Sequence, residues 1–241
     1  MNYLQLFSLP NLLSLANLFF GCMAVVFCFY YQLDKVPYCV AASLFADFLD
    51  GFAARFTKNN TELGKQLDSL ADVVSFGMVP ACIVFELLFQ HLESDPAMYS
   101  MRKIYLYSAP AFLIALFAAL RLAKFNIDTR QSDGFIGLAT PAATIFIVGI
   151  LLVFLNNSFG LAHFVFSKKT LYAVIAVLSA LMISEIPMFS FKFKSFGWKG
   201  NEVRFLFIIL SVVLLAALKF AAIPLIIIIY VLISITIKFL K

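Results

Sequence analysis

Four aspartates occur at helical spacing in two neighbouring apolar stretches. Asp47 and Asp50 are three residues apart and Asp68 and Asp72 are four apart, so each pair falls on one face of a helix. The polar segment TKNNTELG lies between the pairs and is nearly equidistant from them, so an antiparallel hairpin would bring both pairs to one depth. Four clustered carboxylates repel one another. The spacing therefore predicts a site for hard divalent cations such as Mg²⁺, Mn²⁺ or Ca²⁺.

Small residues and one arginine accompany the two pairs. Gly51 and Ala54 follow the first pair, and Gly64 precedes the second. Their size would let a ligand approach the backbone, although close packing of a second helix would also account for them. Arg55 ends the same run, where its guanidinium could bind a diphosphate in a bidentate way or simply extend to the membrane surface.

The composition indicates which elements hold these residues. Of 241 residues, 63% are hydrophobic and 13% are charged, with a mean hydropathy of +0.99. A soluble domain has about 45–50% apolar and about 25% charged residues, so soluble enzymes, secreted disulfide scaffolds and disordered chains are excluded. We predict an all-α integral membrane protein with about eight transmembrane helices. The predicted spans are 11–31, 37–56, 66–90, 104–124, 137–156, 169–187, 203–218 and 222–239.

The basic residues predict orientation and partners. The larger share of the 18 Lys and Arg residues falls in segments on the N-terminal side of this topology, which places both termini and the aspartates toward the cytoplasm. They occur singly or in pairs between apolar runs, which favours anionic lipid head groups as partners and argues against nucleic acid. The last two spans could instead form one long kinked segment, because only Lys219 and Pro224 separate them.

The aspartate pattern resembles the signature of the CDP-alcohol phosphotransferase family. From Asp47 to Asp72 the chain reads Asp-x2-Asp-Gly-x2-Ala-Arg-x8-Gly-x3-Asp-x3-Asp. Four further stretches are similar to the phosphatidylserine synthase branch: PNLLSLANLFFGCMAV, QLDSLADVVSFGMVPA, AALRLAKFN and GFIGLATPAA. Ala139 departs from this branch, which usually has proline there. Asn17 fits the branch, since some other branches have arginine at that position.

The resemblance implies an architecture and an activity. It implies a six-helix membrane core, here residues 1–190, and the similarity fades after about residue 190. The apolar segments of residues 191–241 add a cytoplasmic loop and a pair of C-terminal helices. The resemblance further implies a homodimer in the cytoplasmic membrane of a prokaryote, with the active site facing the cytoplasm. The implied reaction transfers the phosphatidyl group from CDP-diacylglycerol to L-serine and releases CMP. Two divalent cations, Mg²⁺ or Mn²⁺ with Ca²⁺ as an alternative, would assist it.

The site residues follow partly from the resemblance and partly from position. Metal ligation is expected of Asp47, Asp50, Asp68 and Asp72, and the resemblance makes Asp72 the general base. CDP-lipid binding is expected of Asn11, Asn17, Gly51, Ala54, Arg55 and Gly64. Serine binding is expected of Arg121, Lys124 and Asn126. Helix capping and interhelical hydrogen bonding are alternatives for the two asparagines of the first span, and membrane anchoring is the alternative for the two cations of the fourth.

Two other functions are compatible with the carboxylates. Within the same family, the chain could synthesise phosphatidylglycerol phosphate or phosphatidylinositol phosphate, although LRLAKFN and GLATPAA favour the serine branch. A cation transporter would also place carboxylates in a membrane. Such a protein usually holds them near the bilayer midplane on broken helices of two related halves, a pattern that this sequence lacks.

Overall fold

Eight main helices dominate the computed structural model of the protein, which describes residues 6–56, 61–96, 98–128, 135–189, 197–198 and 201–239. Each predicted span corresponds to one of them. The helices are α1 Leu9–Phe29, α2 Val36–Phe56, α3 Glu62–Glu93, α4 Met101–Ile127, α5 Thr140–Leu155, α6 Lys168–Ile183, α7 Glu202–Leu218 and α8 Ala222–Phe239. Five helical runs in the described chain, with α7 and α8 counted together, are long and apolar enough to cross a membrane. The predicted all-α membrane class is confirmed.

Helix α3 is the centre of the bundle. In its most apolar window 78% of the residues are buried, whereas the corresponding share is 28% for α1 and 33% for α2 and α4. Its side chains Phe76, Ile83 and Leu87 are fully buried in the apolar core. The helices around α3 therefore leave much of their outer surface to lipid, and α3 is the element against which site residues from several helices are positioned.

A π-helical stretch, Val73–Met78, interrupts α3 directly after Asp72. Pro80 follows it and has no backbone N–H, so the carbonyl of Phe76 one turn earlier lacks its usual helical partner. The hydroxyl of Thr144 on α5 donates to that carbonyl at 3.1 Å. Gly77 lies against α4, where an added Cβ would be 3.1 Å from the Cβ of Ala118. These features let α4 and α5 pack closely around the site.

The last two helices form a hairpin. The aromatic rings of Phe207 on α7 and Tyr230 on α8 lie 6.0 Å apart, whereas one continuous helix would separate these positions by about 34 Å. The turn contains Lys219, with a φ of 50°. Helix α8 packs on α5, where an added Cβ at Gly149 would lie 2.7 Å from the Cδ of Pro224. The prediction of two helices is confirmed, and the single kinked segment is wrong.

One short antiparallel pairing joins two loops. Strand β1, Phe135–Ile136, pairs with β2, Pro187–Met188. The pairing links the segment after α4 to the segment after α6. The predicted division at residue 190 and the orientation in the membrane stay predictions. Much of the predicted cytoplasmic loop, residues 190–196 and 199–200, lies outside the described residues, as does Arg130, one of the basic residues in the orientation argument.

Candidate active site

Three of the four aspartates converge between α2 and α3. One carboxylate oxygen from each of Asp47, Asp50 and Asp68 lies within 4.8 Å of the other two. The hairpin of the two helices thus brings the pairs to one level, as their distance from the turn predicts. We call these three residues the carboxylate cluster.

Asp72 lies at the edge of this cluster in a different environment. Its side chain is only 8% exposed, and its Oδ1 accepts a hydrogen bond from Asn17 Nδ2 at 3.1 Å. Its carboxyl group also contacts that of Asp47. Because a separate donor from α1 orients it, Asp72 can perform a different task from the three residues of the cluster.

Helix α1 supplies the polar groups that orient these acids. Ser14 donates to Oδ2 of Asp50 at 2.7 Å. The hydroxyls of Ser43 and Ser75 both donate to the backbone carbonyl of Asn17 at 3.0 Å, which fixes α1 against α2 and α3. Ser14 was not predicted from the sequence. Its signal was available, since Asn11, Ser14 and Asn17 recur every three residues on one face of an otherwise apolar helix.

The cluster has the properties of a cation site. Oδ1 of Asp68 is buried and has no hydrogen-bond partner among the described residues. Within the described ranges, no salt bridge to a Lys or Arg side chain neutralises Asp47, Asp50 or Asp68. Asp50 is buried and Asp47 and Asp68 are half-buried. Carboxylates shielded from water in this way are costly without counter-ions, and oxygen ligands suit Mg²⁺, Mn²⁺ and Ca²⁺. The donor set and the unpartnered oxygen therefore fit a divalent cation.

A cavity of about 280 Å³ opens beside the cluster. Asp50 and Asp68 form part of its wall, and four predicted CDP-lipid residues also line it: Asn11, Gly51, Ala54 and Gly64. An added Cβ at Gly64 would lie 3.1 Å from Oδ1 of Asn11, so a larger residue there would crowd the wall. The cavity thus joins the carboxylates to a space bounded by small residues.

Two predicted CDP-lipid residues do not line this cavity. Asn17 is fully buried behind the carboxylates, where it contacts Asp72. Arg55 is exposed, and its Nε donates to the carbonyl of Gly51 at 2.9 Å, which directs it along its own helix. Asn17 is therefore placed to orient an acid, and Arg55 lies at the rim of the site.

The three predicted serine-binding residues lie in the last two turns of α4. Arg121 is 6% exposed, its Nε has no hydrogen-bond partner among the described residues, and it lies within electrostatic range of Asp72. Lys124 is more exposed and forms a salt bridge with Glu185. Asn126 donates from Nδ2 to Ser69 Oγ at 2.8 Å. Of the three, Arg121 is the buried one, and its Nε is unsatisfied among the described residues.

The fold and the site define a membrane-embedded protein with a cluster of carboxylates that opens into a cavity. A family model described as CDP-alcohol phosphatidyltransferase matches residues 7–186. The chain belongs to this family, as the aspartate signature predicts. The assignment favours a transferase over the cation transporter.

Individual relatives carry more specific names. The chain is 34% identical to the CDP-diacylglycerol–serine O-phosphatidyltransferase of Helicobacter pylori, over 89% of this chain and 84% of the relative. It is 30% identical to the protein of that name from Bacillus subtilis, over 80% and 93%. It is 33% identical to the archaetidylserine synthase of Methanothermobacter thermautotrophicus, over 74% and 68%. No solved structure matches the chain.

Proposed function

We propose that this enzyme transfers the phosphatidyl group of CDP-diacylglycerol to L-serine, which forms phosphatidylserine and CMP. The convergence of the signature carboxylates beside a cavity is the observation that carries this proposal. The names of the similar bacterial proteins support the choice of donor and acceptor.

The donor would bind across the cavity and the cluster. Gly51, Ala54 and Gly64 leave space for the cytidine and ribose, and Asn11 offers an amide at the same wall. Arg55 at the rim would contact the diphosphate, and Asn17 would act from behind through Asp72. A membrane-embedded site suits this donor, because the diacylglycerol part can remain in the lipid while the nucleotide enters the polar cavity.

The cluster would hold the divalent cations. Asp47, Asp50 and Asp68 supply the converging oxygens, and Asp72 is close enough to Asp47 to share in a second ion. Bound Mg²⁺ or Mn²⁺, with Ca²⁺ as the alternative, would neutralise the diphosphate and stabilise the charge on the departing CMP oxygen. The residues that surround the cluster would keep its carboxylates in position.

Asp72 would accept the proton of the acceptor alcohol. The serine oxygen forms a bond to the phosphatidyl phosphorus, the bond from that phosphorus to the CMP oxygen breaks, and the hydroxyl proton passes to the Asp72 carboxylate. The hydrogen bond from Asn17 holds this carboxylate beside the cluster. The rest of the rate enhancement would come from orientation of the two substrates and from charge neutralisation.

Arg121 would bind the carboxylate of serine. It is buried on α4, where Ala118 one turn earlier packs against Gly77 in the stretch that follows Asp72, so a serine held by its carboxylate would present its hydroxyl toward the proposed base. Lys124 and Asn126 would complete the positive wall nearer the membrane surface. Arg121→Ala should raise the KM for serine more than the KM for CDP-diacylglycerol. A larger rise for the CDP-lipid would place Arg121 in the donor site instead.

The direct test is release of CMP by the purified enzyme. CDP-diacylglycerol is combined in turn with serine, glycerol phosphate and inositol phosphate, each with Mg²⁺, Mn²⁺ or Ca²⁺. We expect CMP release with serine and a requirement for one of these cations. Release with glycerol phosphate but not with serine would contradict the proposed acceptor while leaving the family assignment intact.

We also propose a homodimer with the active site and both termini in the cytoplasm. The distribution of basic residues supports the orientation, and the family resemblance supports the dimer. A cysteine introduced near Lys194 should be protected from an impermeant maleimide in intact cells, and its labelling would reverse the topology. Cross-linking in native membranes should give a dimer band, and a persistent monomer would contradict the oligomeric state.

A further inference from the structure

Lys65, on the first turn of α3, lies in the wall of the cavity beside the carboxylate cluster. The acids of that wall are Asp50, Glu62 and Asp68, and among the described residues that line it Lys65 alone carries a positive charge. Arg55 stays outside the lining, where it donates to its own helix. The described wall therefore presents a single cationic group to the cavity.

The N-cap of α3 fixes the backbone at Lys65. The side chain of Thr61 accepts a hydrogen bond from the N–H of Gly64 at 3.0 Å. The carbonyl of Thr61 accepts a hydrogen bond from the N–H of Lys65 at 3.1 Å. A capped first turn is held in helical geometry, so the side chain of Lys65 begins at a fixed point of the cavity wall.

The end of α4 fixes the tip of the same side chain. Lys65 Nζ donates to the backbone carbonyl of Asn126 at 3.1 Å. Asn126 donates from Nδ2 to Ser69 Oγ at 2.8 Å, and Ser69 Oγ donates to the carbonyl of Lys65 at 3.0 Å. We call this closed ring of three hydrogen bonds the Lys65 clasp. An ammonium group has three protons, so Lys65 keeps further donors for a ligand after it has bound the carbonyl.

The clasp connects the two regions in which the substrates are proposed to bind. The cavity is the proposed site of the CDP-lipid, and the last two turns of α4 carry the proposed serine-binding residues. In a transfer reaction, the phosphate that moves must lie between the donor and the acceptor. That phosphate is an anion, and the lysine ammonium group is a common partner of phosphate oxygens. Lys65 therefore supplies a positive charge where the transferred phosphate is expected.

We infer that Lys65 is a further donor-binding residue, whose ammonium group binds a non-bridging oxygen of the phosphatidyl phosphate. Lys65 keeps its proton on Nζ and acts through hydrogen bonds and charge, so the bonds that form and break are those of the proposed transfer. The inference rests on the proposed function, because it takes the cavity as the site of the CDP-lipid.

The test compares CDP with CMP as ligands of the purified full-length enzyme. The donor's inner phosphate departs with CMP and its outer phosphate is transferred, so CDP contains a counterpart of the transferred phosphate and CMP lacks one. Lys65→Met keeps an unbranched side chain without the charge. It should weaken CDP binding about tenfold in the presence of Mg²⁺ and leave CMP binding within about twofold of wild type. Equilibrium dialysis with labelled nucleotides measures both affinities.

Two further lysine variants are the controls. Lys35→Met is matched to the test variant, because Lys35 Nζ donates to Gln32 Oε1 at 2.8 Å in the turn between α1 and α2, and it should change neither affinity. Lys65→Arg keeps a positive charge and should retain CDP affinity within about threefold of wild type. Unchanged CDP binding in Lys65→Met, or an equal loss of CDP and CMP binding, would overturn the inference.

Ser69→Ala tests the clasp without removing the charge. This change deletes the oxygen to which Asn126 donates, so the carbonyl that holds Lys65 Nζ is less firmly placed. CDP should bind about threefold more weakly, and CMP binding should be unchanged. Unchanged CDP binding, or an equal weakening for both nucleotides, would show that the clasp does not position Lys65.

Nucleotide binding also separates failure of this inference from failure of the proposed function. Neither nucleotide contains the acceptor, so CMP release with glycerol phosphate and not with serine would contradict the proposed acceptor and leave the test of Lys65 intact. Wild-type enzyme that bound neither nucleotide and released no CMP would contradict the proposed function itself. In turnover, Lys65→Met should lower kcat/KM for CDP-diacylglycerol about tenfold, with the KM for serine within about twofold. A rise in the KM for serine alone would place Lys65 at the acceptor and overturn the inference.

Discussion

Buried acids occur at both ends of α3, and their surroundings differ. At one end, the carboxylate cluster and Asp72 gather acids from two helices, with orienting donors from Ser14 and Asn17 on a third. At the other end, about 21 Å further along, Glu86 is 5% exposed, and no second buried acid lies there among the described residues. Its Oε1 accepts a hydrogen bond from Gln90 Nε2 at 2.8 Å, one turn away on the same helix.

The difference shows which buried acid indicates function. A single carboxyl group can be accommodated by one neutral amide on its own helix, so its presence in a membrane needs no ligand. Several carboxyl groups at one level cannot all find hydrogen-bond donors; among the described residues, Oδ1 of Asp68 has none. Such carboxylates also repel one another unless a cation binds between them. Convergence from different helices, more than burial, therefore distinguishes the catalytic end from the Glu86 end.

The largest effect is expected from Asp72→Asn. This variant keeps the shape of the side chain but removes the proposed proton acceptor, so turnover should fall about 10³-fold. Binding of CDP-diacylglycerol should persist, because the cavity and the cluster remain. CMP release and CDP-lipid binding by the purified variant measure the two quantities. A near-normal rate would show that Asp72 is not the essential base.

A smaller but still large effect is expected from changes within the cluster. Asp47→Asn and Asp68→Asn each remove one charged ligand, so activity should fall about 100-fold and the cation concentration for half-maximal rate should rise. Titration of CMP release with Mg²⁺ and Mn²⁺ provides the measurement. If the cation requirement were unchanged in both variants, the cluster would not be the metal site. Cation binding would then no longer distinguish the cluster from Glu86.

A moderate effect is expected from Ser14→Ala. Loss of its hydrogen bond to Asp50 leaves a metal ligand less well oriented, so the cation requirement should rise about tenfold. Ser43→Ala is the matched control, because its hydroxyl donates to the backbone carbonyl of Asn17 where Ser14 donates to an acid. The same cation titration compares them. Equal shifts in both variants would indicate that Ser14 acts only through helix packing.

The smallest effect is expected at the other end of α3. Glu86→Gln keeps an acceptor for the Gln90 amide, so kcat and both KM values should stay within about twofold of wild type, with an unfolding free energy changed by about 1 kcal/mol at most. Kinetics and thermal unfolding in detergent measure these quantities. A loss of activity as large as that of the cluster variants would abolish the distinction between the two ends.

The positions of the helices and the shared depth of the two aspartate pairs could be predicted from the sequence. They depend on the hydropathy of each segment and on the number of residues between each pair and the turn. All eight predicted apolar segments are helices, and the equal distance of the aspartate pairs from their turn corresponds to the observed convergence. The role of Ser14 escaped prediction, since a serine in an apolar helix often bonds to its own backbone. The packing of the C-terminal hairpin on α5 also escaped it, because about seventy-five residues separate Gly149 from Pro224.

The sequence by itself determined that the protein lies in lipid, where its helices run and which family it belongs to. Composition, the length of apolar segments and the spacing of the aspartates decide these points, and each can be read without knowing how the helices pack. Only the tertiary structure decided how the acids divide, with three in the cluster and Asp72 held separately by Asn17. It also decided that the last two helices form a hairpin packed on α5. The physical reason is that hydrogen bonds and burial between distant helices depend on how their faces pack, which spacing along one helix does not specify.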